Sequence, residues 1–125
     1  MNPPINSYRD LKVWQSAMAL AEACYRPTAA FPREEMFGLT SPIRRAAASV
    51  PANIAEGLGR EHTGSFIQPL RIAQGSLKEL ETHLILAERV GFWTGTAGGA
   101  ALESSTEIGR MLRSLIRSLQ ARVSG

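Results

Sequence analysis

Apolar residues recur at helical spacing along most of the chain, and the alternation of apolar and polar residues that marks a half-buried strand is nearly absent. Connectors containing proline or glycine separate the periodic segments, and the sequence has no internal repeat of fixed period. We therefore predict an all-α protein whose four helices cover about residues 7–26, 40–59, 65–90 and 100–122.

The third segment has the most regular pattern, and Ser65 with Gln68 forms a predicted capping box at its start. A helix over residues 65–90 would be about 39 Å long at 1.5 Å per residue, so other helices must cover its apolar side along its whole length. This requirement favours an up-down-up-down four-helix bundle. The apolar positions alternate spacings of four and three residues, as in helices that pack side by side, and are Phe66, Leu70, Ala73, Leu77, Leu80, Leu84 and Ala87.

The first predicted helix has a wide apolar face with polar residues opposite to it. Ser7 and Asp10 form an acidic version of a capping box at its start. Projected at helical spacing, the face consists of Trp14, Ala17, Ala21, Cys24 and Tyr25, flanked by Val13 and Met18.

Prolines mark several of the predicted helix ends and irregularities. Pro27 is predicted to end the first helix, and Pro42 fits the first position of the second, where a missing N–H costs nothing. Pro51 is predicted to kink the second helix without ending it, because the apolar phase continues across it. Pro69 is expected to distort the first turn of the third helix, and residues 91–99 are expected to form a loop.

The composition is that of one ordinary globular domain, with 125 residues of which 44% are hydrophobic and 20% charged. We expect a single domain over residues 1–125, with flexible ends at 1–6 and 123–125. The lone cysteine, Cys24, excludes an internal disulfide framework and a multi-cysteine zinc site, and it is interpreted as a core residue. Because no apolar run reaches the ~20 residues of a membrane span and no signal-peptide pattern is seen, no membrane partner and a cytoplasmic location are expected.

Three strings of residues together resemble one bacterial family. They are YRDLKVWQSAMALAEACY (8–25), FGLTSPIRRAAASVPANIAEG (37–57) and LRIAQGSLKELETHLILAERVGF (70–92). Over about Tyr8 to Leu119 the chain resembles the four-helix bundle proteins also called 23S rRNA-intervening sequence proteins. The accessory variability determinant of diversity-generating retroelements is similar to this family in fold.

The resemblance implies a homo-oligomeric bundle, typically a ring of five subunits, for which no enzymatic activity is established. For the retroelement relatives it implies a basic surface that meets the template RNA and the reverse transcriptase. The expected partners are therefore further copies of this chain, with RNA or a nucleic-acid enzyme as a candidate partner. The host gene context and the physiological partner do not follow from the resemblance.

The net charge is +3, and twelve of the fourteen basic residues are arginine, whose planar fork suits phosphate. For Arg44 and Arg45 the alternative to phosphate contact is one solvated arginine and one partner for an acid on a neighbouring helix. For the other bases the alternative is a solvated face whose charges pair with nearby glutamates. The candidate nucleic-acid contacts are Arg44, Arg45, Arg71, Lys78, Arg89, Arg110, Arg113 and Arg117.

Polar and small side chains flank the apolar faces of the second and third helices. A polar network between helices or subunits is predicted, with a ligand pocket as the alternative, and consists of Arg45, Asn53, Glu56 and Glu79. A close-packing face of small residues, suited to ring assembly, is formed by Ala48, Ala52, Ala55 and Gly75.

Metal and cofactor chemistry have little support, and we predict no catalytic residue, no metal and no cofactor. His83 and Glu79 are four residues apart, whereas di-iron bundles use the Glu-x-x-His spacing, and no second copy exists. His83 is interpreted as a surface or interface histidine, and His62 as a residue at a helix end.

The predicted function is a non-enzymatic, homo-oligomeric helical scaffold whose arginine-rich helix faces bind structured RNA or an RNA-processing partner. The alternative is a protein–protein adaptor with no nucleic-acid role. A third hypothesis is an enzyme with a pocket between subunits near Glu56 and Glu79.

Overall fold

The computed structural model describes the backbone of residues 7–59, 63–93 and 96–124, and the side chains in these ranges except those of residues 63–65, 96, 123 and 124. Within these ranges all regular structure is helical, which confirms the predicted class. The helices described there are α1 (Lys12–Thr28), α2 (Ser41–Leu58), α3 (Thr63–Arg89) and α4 (Thr96–Ser124). Short turns precede α1 at Tyr8–Asp10 and α2 at Arg33–Glu35 and Met36–Thr40, the last with π-helical bonding.

The helices pack as a bundle in which each contacts the next along the chain and α4 closes against α1, as predicted. The contact between α2 and α3 is the most extensive. Gly57 allows these two helices to meet closely at their connector, because a Cβ there would lie 2.8 Å from the Phe66 carbonyl oxygen. None of the described helices is both long and apolar enough to cross a membrane.

The predicted apolar seam of α3 forms the centre of the core. Phe66 is partly buried, and the six positions from Leu70 to Ala87 are each at most 2% exposed. Burial at this level contributes roughly 1.5–3 kcal/mol for each large aliphatic side chain. The residues that cover the seam from the other helices include Leu20 and Cys24 of α1, Ile43, Val50 and Ile54 of α2, and Ile108, Leu112 and Leu119 of α4.

The buried side of α1 is rotated from the predicted one. Leu20, which was not predicted to face the core, is 2% exposed, whereas Tyr25 is 45% exposed and Trp14 and Met18 are half-buried. Because Trp14, Met18 and Tyr25 border a groove beside α2, the apolar face of α1 is wider than the part that the bundle covers.

The amino-terminal end of α1 differs from the prediction, and α2 begins directly after a π-helical turn. The hydroxyl of Ser7 accepts a hydrogen bond from the Arg9 amide (3.1 Å), so Ser7 caps the first short turn, and α1 itself begins at Lys12. The hydroxyl of Ser41 contacts the Met36 sulfur at 3.8 Å and caps no helix, because the π-helical turn runs directly into α2.

Three prolines lie inside helices, namely Pro27 in α1, Pro51 in α2 and Pro69 in α3. Pro27 lies inside α1, which ends one residue later at Thr28, because proline removes one helical hydrogen bond and the Thr28 hydroxyl bonds the carbonyls of Cys24 (2.8 Å) and Tyr25 (3.0 Å). The second helix continues across Pro51 as predicted. Pro69 is the seventh residue of α3, beyond the first turn in which it was predicted, because the helix begins at Thr63.

The predicted loop over residues 91–99 is shorter in the structure, since α4 begins at Thr96. Gly98 lies in the first turn of α4, where the buried Trp93 ring occupies the space that a Cβ would fill. Residues 1–6 and 125, predicted to be flexible, lie outside the described residues, as do His62 and the Ser65 side chain.

Candidate nucleic-acid interface

A cleft of about 470 Å³ runs between α3 and α4 on the outside of the bundle. It brings together three of the predicted basic residues, Arg71 and Lys78 from α3 and Arg113 from α4. The remaining lining residues are Gln74, Gly75, Leu77, Glu81, Ser105, Thr106 and Gly109. The sequence pattern places Arg71 on the third helix and Arg113 on the fourth without relating them, and the antiparallel packing of the two helices brings them into one cleft.

Glu81 joins the two walls of this cleft. One of its carboxylate oxygens accepts from Lys78 Nζ at 3.2 Å, and the other accepts from Ser105 Oγ at 3.0 Å. Because both oxygens are engaged and Lys78 balances the charge, Glu81 leaves the positive charge of Arg71 and Arg113 uncompensated. The side chains of these two arginines form no ion pair or hydrogen bond with any residue in the described ranges.

The outer basic residues differ in how they are engaged. Arg110 pairs with Glu107 at 3.1 Å, and both side chains are well exposed, so this pair contributes little stability. Arg89 and Arg117 are exposed and have no acidic partner among the residues that the structure describes. The α3–α4 side of the bundle therefore presents several guanidinium groups that are available to a ligand.

Arg44 is used inside the subunit. Its Nε donates to the Thr28 hydroxyl at 2.9 Å, its Nη2 donates to the Tyr25 carbonyl at 3.1 Å, and its guanidinium lies 5.0 Å from the Tyr25 ring centre. A cation at the carboxyl end of α1 also interacts favourably with the helix dipole. The partner of Arg44 is thus a helix end and not an acid, while Arg45 is exposed.

The structure joins α2 to α3 through serines next to the predicted polar network. Ser49 Oγ lies 2.8 Å from Ser76 Oγ, and Asn53 Nδ2 donates to the Ser49 carbonyl (2.8 Å) and hydroxyl (3.0 Å). Within the described ranges, no hydrogen bond or ion pair links any two of Arg45, Asn53 and Glu79.

Two further observations concern that network. Glu79 contacts His83 within α3, with 3.6 Å between Oε1 and Nε2. Ser76 is buried and was not among the predicted site residues. The sequence signal for its burial is that it directly precedes Leu77, a residue of the apolar seam.

The predicted close-packing alanines line an apolar groove between α1 and α2. Ala48 and Ala52 are exposed and Ala55 is half-buried, and they face Trp14 and Met18 across a volume of about 440 Å³. The fourth predicted member of this face, Gly75, lies in the α3–α4 cleft and therefore belongs to a different surface.

Cys24 is fully buried in the core, and this burial raises the pKa of its thiol to about 11. A neutral, inaccessible thiol is neither a nucleophile nor a metal ligand at neutral pH. Among the described residues, no three histidine, cysteine or acidic side chains are grouped to hold a metal ion.

The family model for the 23S rRNA-intervening sequence protein matches residues 9–114. A crystal structure of a protein with unknown function from the S23 ribosomal protein family of Bacteroides thetaiotaomicron is 27% identical in sequence, with a TM-score of 0.74. That comparison covers 83% of this chain and 97% of the other. No functionally curated protein matches the chain.

Proposed function

Because the chain belongs to the 23S rRNA-intervening sequence protein family, we propose that it is a non-enzymatic, homo-oligomeric scaffold that binds structured RNA through the basic side formed by α3 and α4. The observation that carries the RNA part is that four of the predicted contact arginines on these helices are exposed and have no acidic partner among the described residues, namely Arg71, Arg89, Arg113 and Arg117.

Unpaired guanidinium groups favour phosphate as the ligand for two physical reasons. A guanidinium offers several N–H donors in a plane and stays charged at every physiological pH, so it binds phosphate oxygens in pairs. Each phosphate that a base neutralises also releases counterions from the nucleic acid, which makes binding favourable and sensitive to salt. Repetition of the basic side around an oligomer would add the fields of several subunits.

The α1–α2 groove supports the oligomeric part of the proposal. Its walls combine the small side chains of Ala48 and Ala52 with the large apolar surfaces of Trp14, Met18 and Tyr25, and it is open to solvent in the isolated subunit. A helix from another copy would bury these surfaces, which is favourable by roughly 25 cal/mol for each Å² of apolar area. The family resemblance implies a ring of five subunits.

An adaptor that binds only proteins is the second candidate, and it is favoured by exposed apolar residues on the outer side of α3, directly after α3 and on the turn before α2. Ile72, Leu86 and Val90 are 47–51% exposed, and Phe37 is 87% exposed. Exposed apolar groups of this size are typical of protein contacts, although the basic cleft has no obvious role in such a protein.

Fluorescence anisotropy with a labelled RNA hairpin at several salt concentrations tests the RNA proposal. We expect the wild-type protein to bind at low salt, and replacement of Arg110, Arg113 and Arg117 by glutamate to weaken binding at least tenfold. The matched control replaces Arg9, Arg26 and Arg33, which are exposed and lie elsewhere, so the net charge changes equally. Absence of wild-type binding at low salt, or equal weakening by both triple variants, would contradict an RNA surface on α3 and α4.

A further inference from the structure

We propose that the α3–α4 cleft is a phosphate-binding site in which Arg71 and Arg113 hold one phosphate group above a floor formed by Gly75 and Gly109. The inference deepens the proposed function, because it replaces a diffuse basic surface with one defined site. A defined site requires that the ligand enter the cleft, whereas general electrostatic attraction to a basic surface has no such requirement.

The charge balance inside the cleft favours an anion. Glu81 is the acid that lines it, and Lys78 and Ser105 already engage both of its oxygens. Two guanidinium groups therefore face the same space with no anion from the described residues to neutralise them. A phosphate matches this arrangement, because its several oxygens accept from two planar forks at once.

The shape of the cleft leaves room for that group. A Cβ built on Gly75 meets nothing within 4 Å, and one built on Gly109 meets Arg113 Nη1 at 3.8 Å. Packing within the subunit thus does not require glycine at either position. Glycine also weakens a helix relative to alanine, so the open floor costs local stability and leaves a space that a side chain would fill.

The neighbouring polar groups suit the same ligand. Gln74 lines the cleft on α3 and offers two amide N–H donors to such a ligand. The Thr106 hydroxyl on α4 offers no donor, because its proton is already donated to the Leu102 carbonyl. A volume of about 470 Å³ admits a sugar-phosphate unit as well as a free phosphate ion. The shared chemistry is the phosphate group, and its source is either the RNA backbone or inorganic phosphate.

The decisive variant is Gly75→Leu, which fills the cleft and leaves every charge in place. Its matched control is Gly99→Leu, because Gly99 is an exposed helical glycine whose Cβ would also meet nothing within 4 Å, outside the cleft. A second comparison uses two double variants. The first carries Arg71→Gln and Arg113→Gln together, and its control carries Arg26→Gln and Arg33→Gln together. Circular dichroism and thermal unfolding establish that each variant is folded.

In the RNA arm, anisotropy is measured with the hairpin over a range of salt concentrations. We expect Gly75→Leu to weaken binding about tenfold, and loss of the one phosphate contact in the double variant to lower the slope of log affinity against log salt by roughly 0.7–0.9. The controls should bind like wild type. Wild-type affinity in Gly75→Leu, together with weak binding by the Arg110, Arg113 and Arg117 triple variant, overturns the cleft while the RNA surface stands.

In the second arm, inorganic phosphate is titrated against chloride at equal ionic strength while amide chemical shifts are followed by NMR. Saturable shifts at residues 74–78 and 105–113 that disappear in Gly75→Leu support the cleft. If they occur in a protein that does not bind the hairpin, free phosphate is the ligand and the proposed RNA function fails. If wild type and Gly75→Leu behave alike in both arms, the cleft is not a phosphate site.

Discussion

Arg44 attaches the beginning of α2 to the carboxyl end of α1 by contacts that combine charge, hydrogen bonding and ring stacking. Its guanidinium reaches the Thr28 hydroxyl, the Tyr25 carbonyl and the Tyr25 ring. Hydrogen bonds from a charged donor are stronger than those between neutral groups, and the helix end they satisfy would otherwise depend on water. At the scale of single residues, we expect substitution of two side chains to change the stability of the fold, Arg44 at this junction and Cys24 in the core.

Replacing Arg44 by alanine should lower the free energy of unfolding by about 1–2 kcal/mol, because two charge-assisted hydrogen bonds and a cation–π contact are lost. Urea titration followed by circular dichroism measures this change. Arg45→Ala is the control, and its effect should stay within about 0.5 kcal/mol because Arg45 is exposed. Equal effects of the two substitutions would show that the contacts of Arg44 do not stabilise the fold.

Burial of Cys24 should make the fold less stable in alkali. Its pKa is raised from 9.0 to about 11, so above pH 9 the unfolded chain loses a proton that the folded chain retains, and stability falls between pH 9 and 11. A difference of this size corresponds to about 2–3 kcal/mol when the pH exceeds both values. Urea titrations across this range should show a steeper decline for wild type than for Cys24→Ala, and parallel declines would refute the assignment.

At the scale of elements, the beginning of α4 depends on an aromatic cluster that precedes it. Phe31 lies 5.9 Å from Phe92 and 6.0 Å from Trp93, measured between ring centres, and Trp93 is 3% exposed. The Trp93 ring packs against Gly98, so the first turns of α4 close over the end of the core. Two adjacent glycines normally weaken a helix, but here Gly98 leaves the space that the Trp93 ring occupies.

The neighbouring glycines Gly98 and Gly99 should respond to alanine in opposite directions. Gly98→Ala should destabilise the protein by about 1–3 kcal/mol, because the new methyl group would collide with the rigid indole ring. Gly99→Ala should stabilise it by about 0.5–1 kcal/mol, because its methyl group meets nothing and alanine is the better helix former. Thermal unfolding of both variants measures the difference, and a change of the same sign in both would contradict the packing of Trp93 on Gly98.

At the scale of the whole molecule, the bundle presents two unlike surfaces. The α1–α2 groove is apolar, whereas the α3–α4 cleft is basic and polar. An assembly that buried the groove would leave the cleft free for a ligand, so subunit contact and phosphate binding would not compete. Because of this separation, the proposed oligomer and the proposed RNA surface can be tested independently.

Ala52→Glu should dissociate the proposed oligomer, because it places a charge among the apolar residues of the groove and near Glu22. Light scattering at micromolar concentration should show wild type as an oligomer and the variant as a folded monomer. Ala23→Glu serves as the control, since Ala23 is exposed on α1 and is not part of the groove. A wild-type monomer under these conditions would rule out the oligomeric scaffold.

The sequence alone determined the class of fold and most of the core. The spacing of Leu70, Leu77 and Leu84 requires a helix that is covered along its length, and that requirement holds whatever the neighbours are. The Arg44 junction and the Ser49–Ser76 contact did not follow from spacing, because a hydrogen bond between helices depends on their relative rotation and height.

Only the tertiary structure decided which surfaces the site residues share. Periodicity gives each side chain an angle around its own helix, but it carries no information about which residue of α4 lies beside Gly75 of α3. The packing of the helices unites Arg71 with Arg113 around Glu81 and separates Gly75 from Ala48 and Ala52. The elements follow from local physics, and the candidate site follows from how those elements are set against one another.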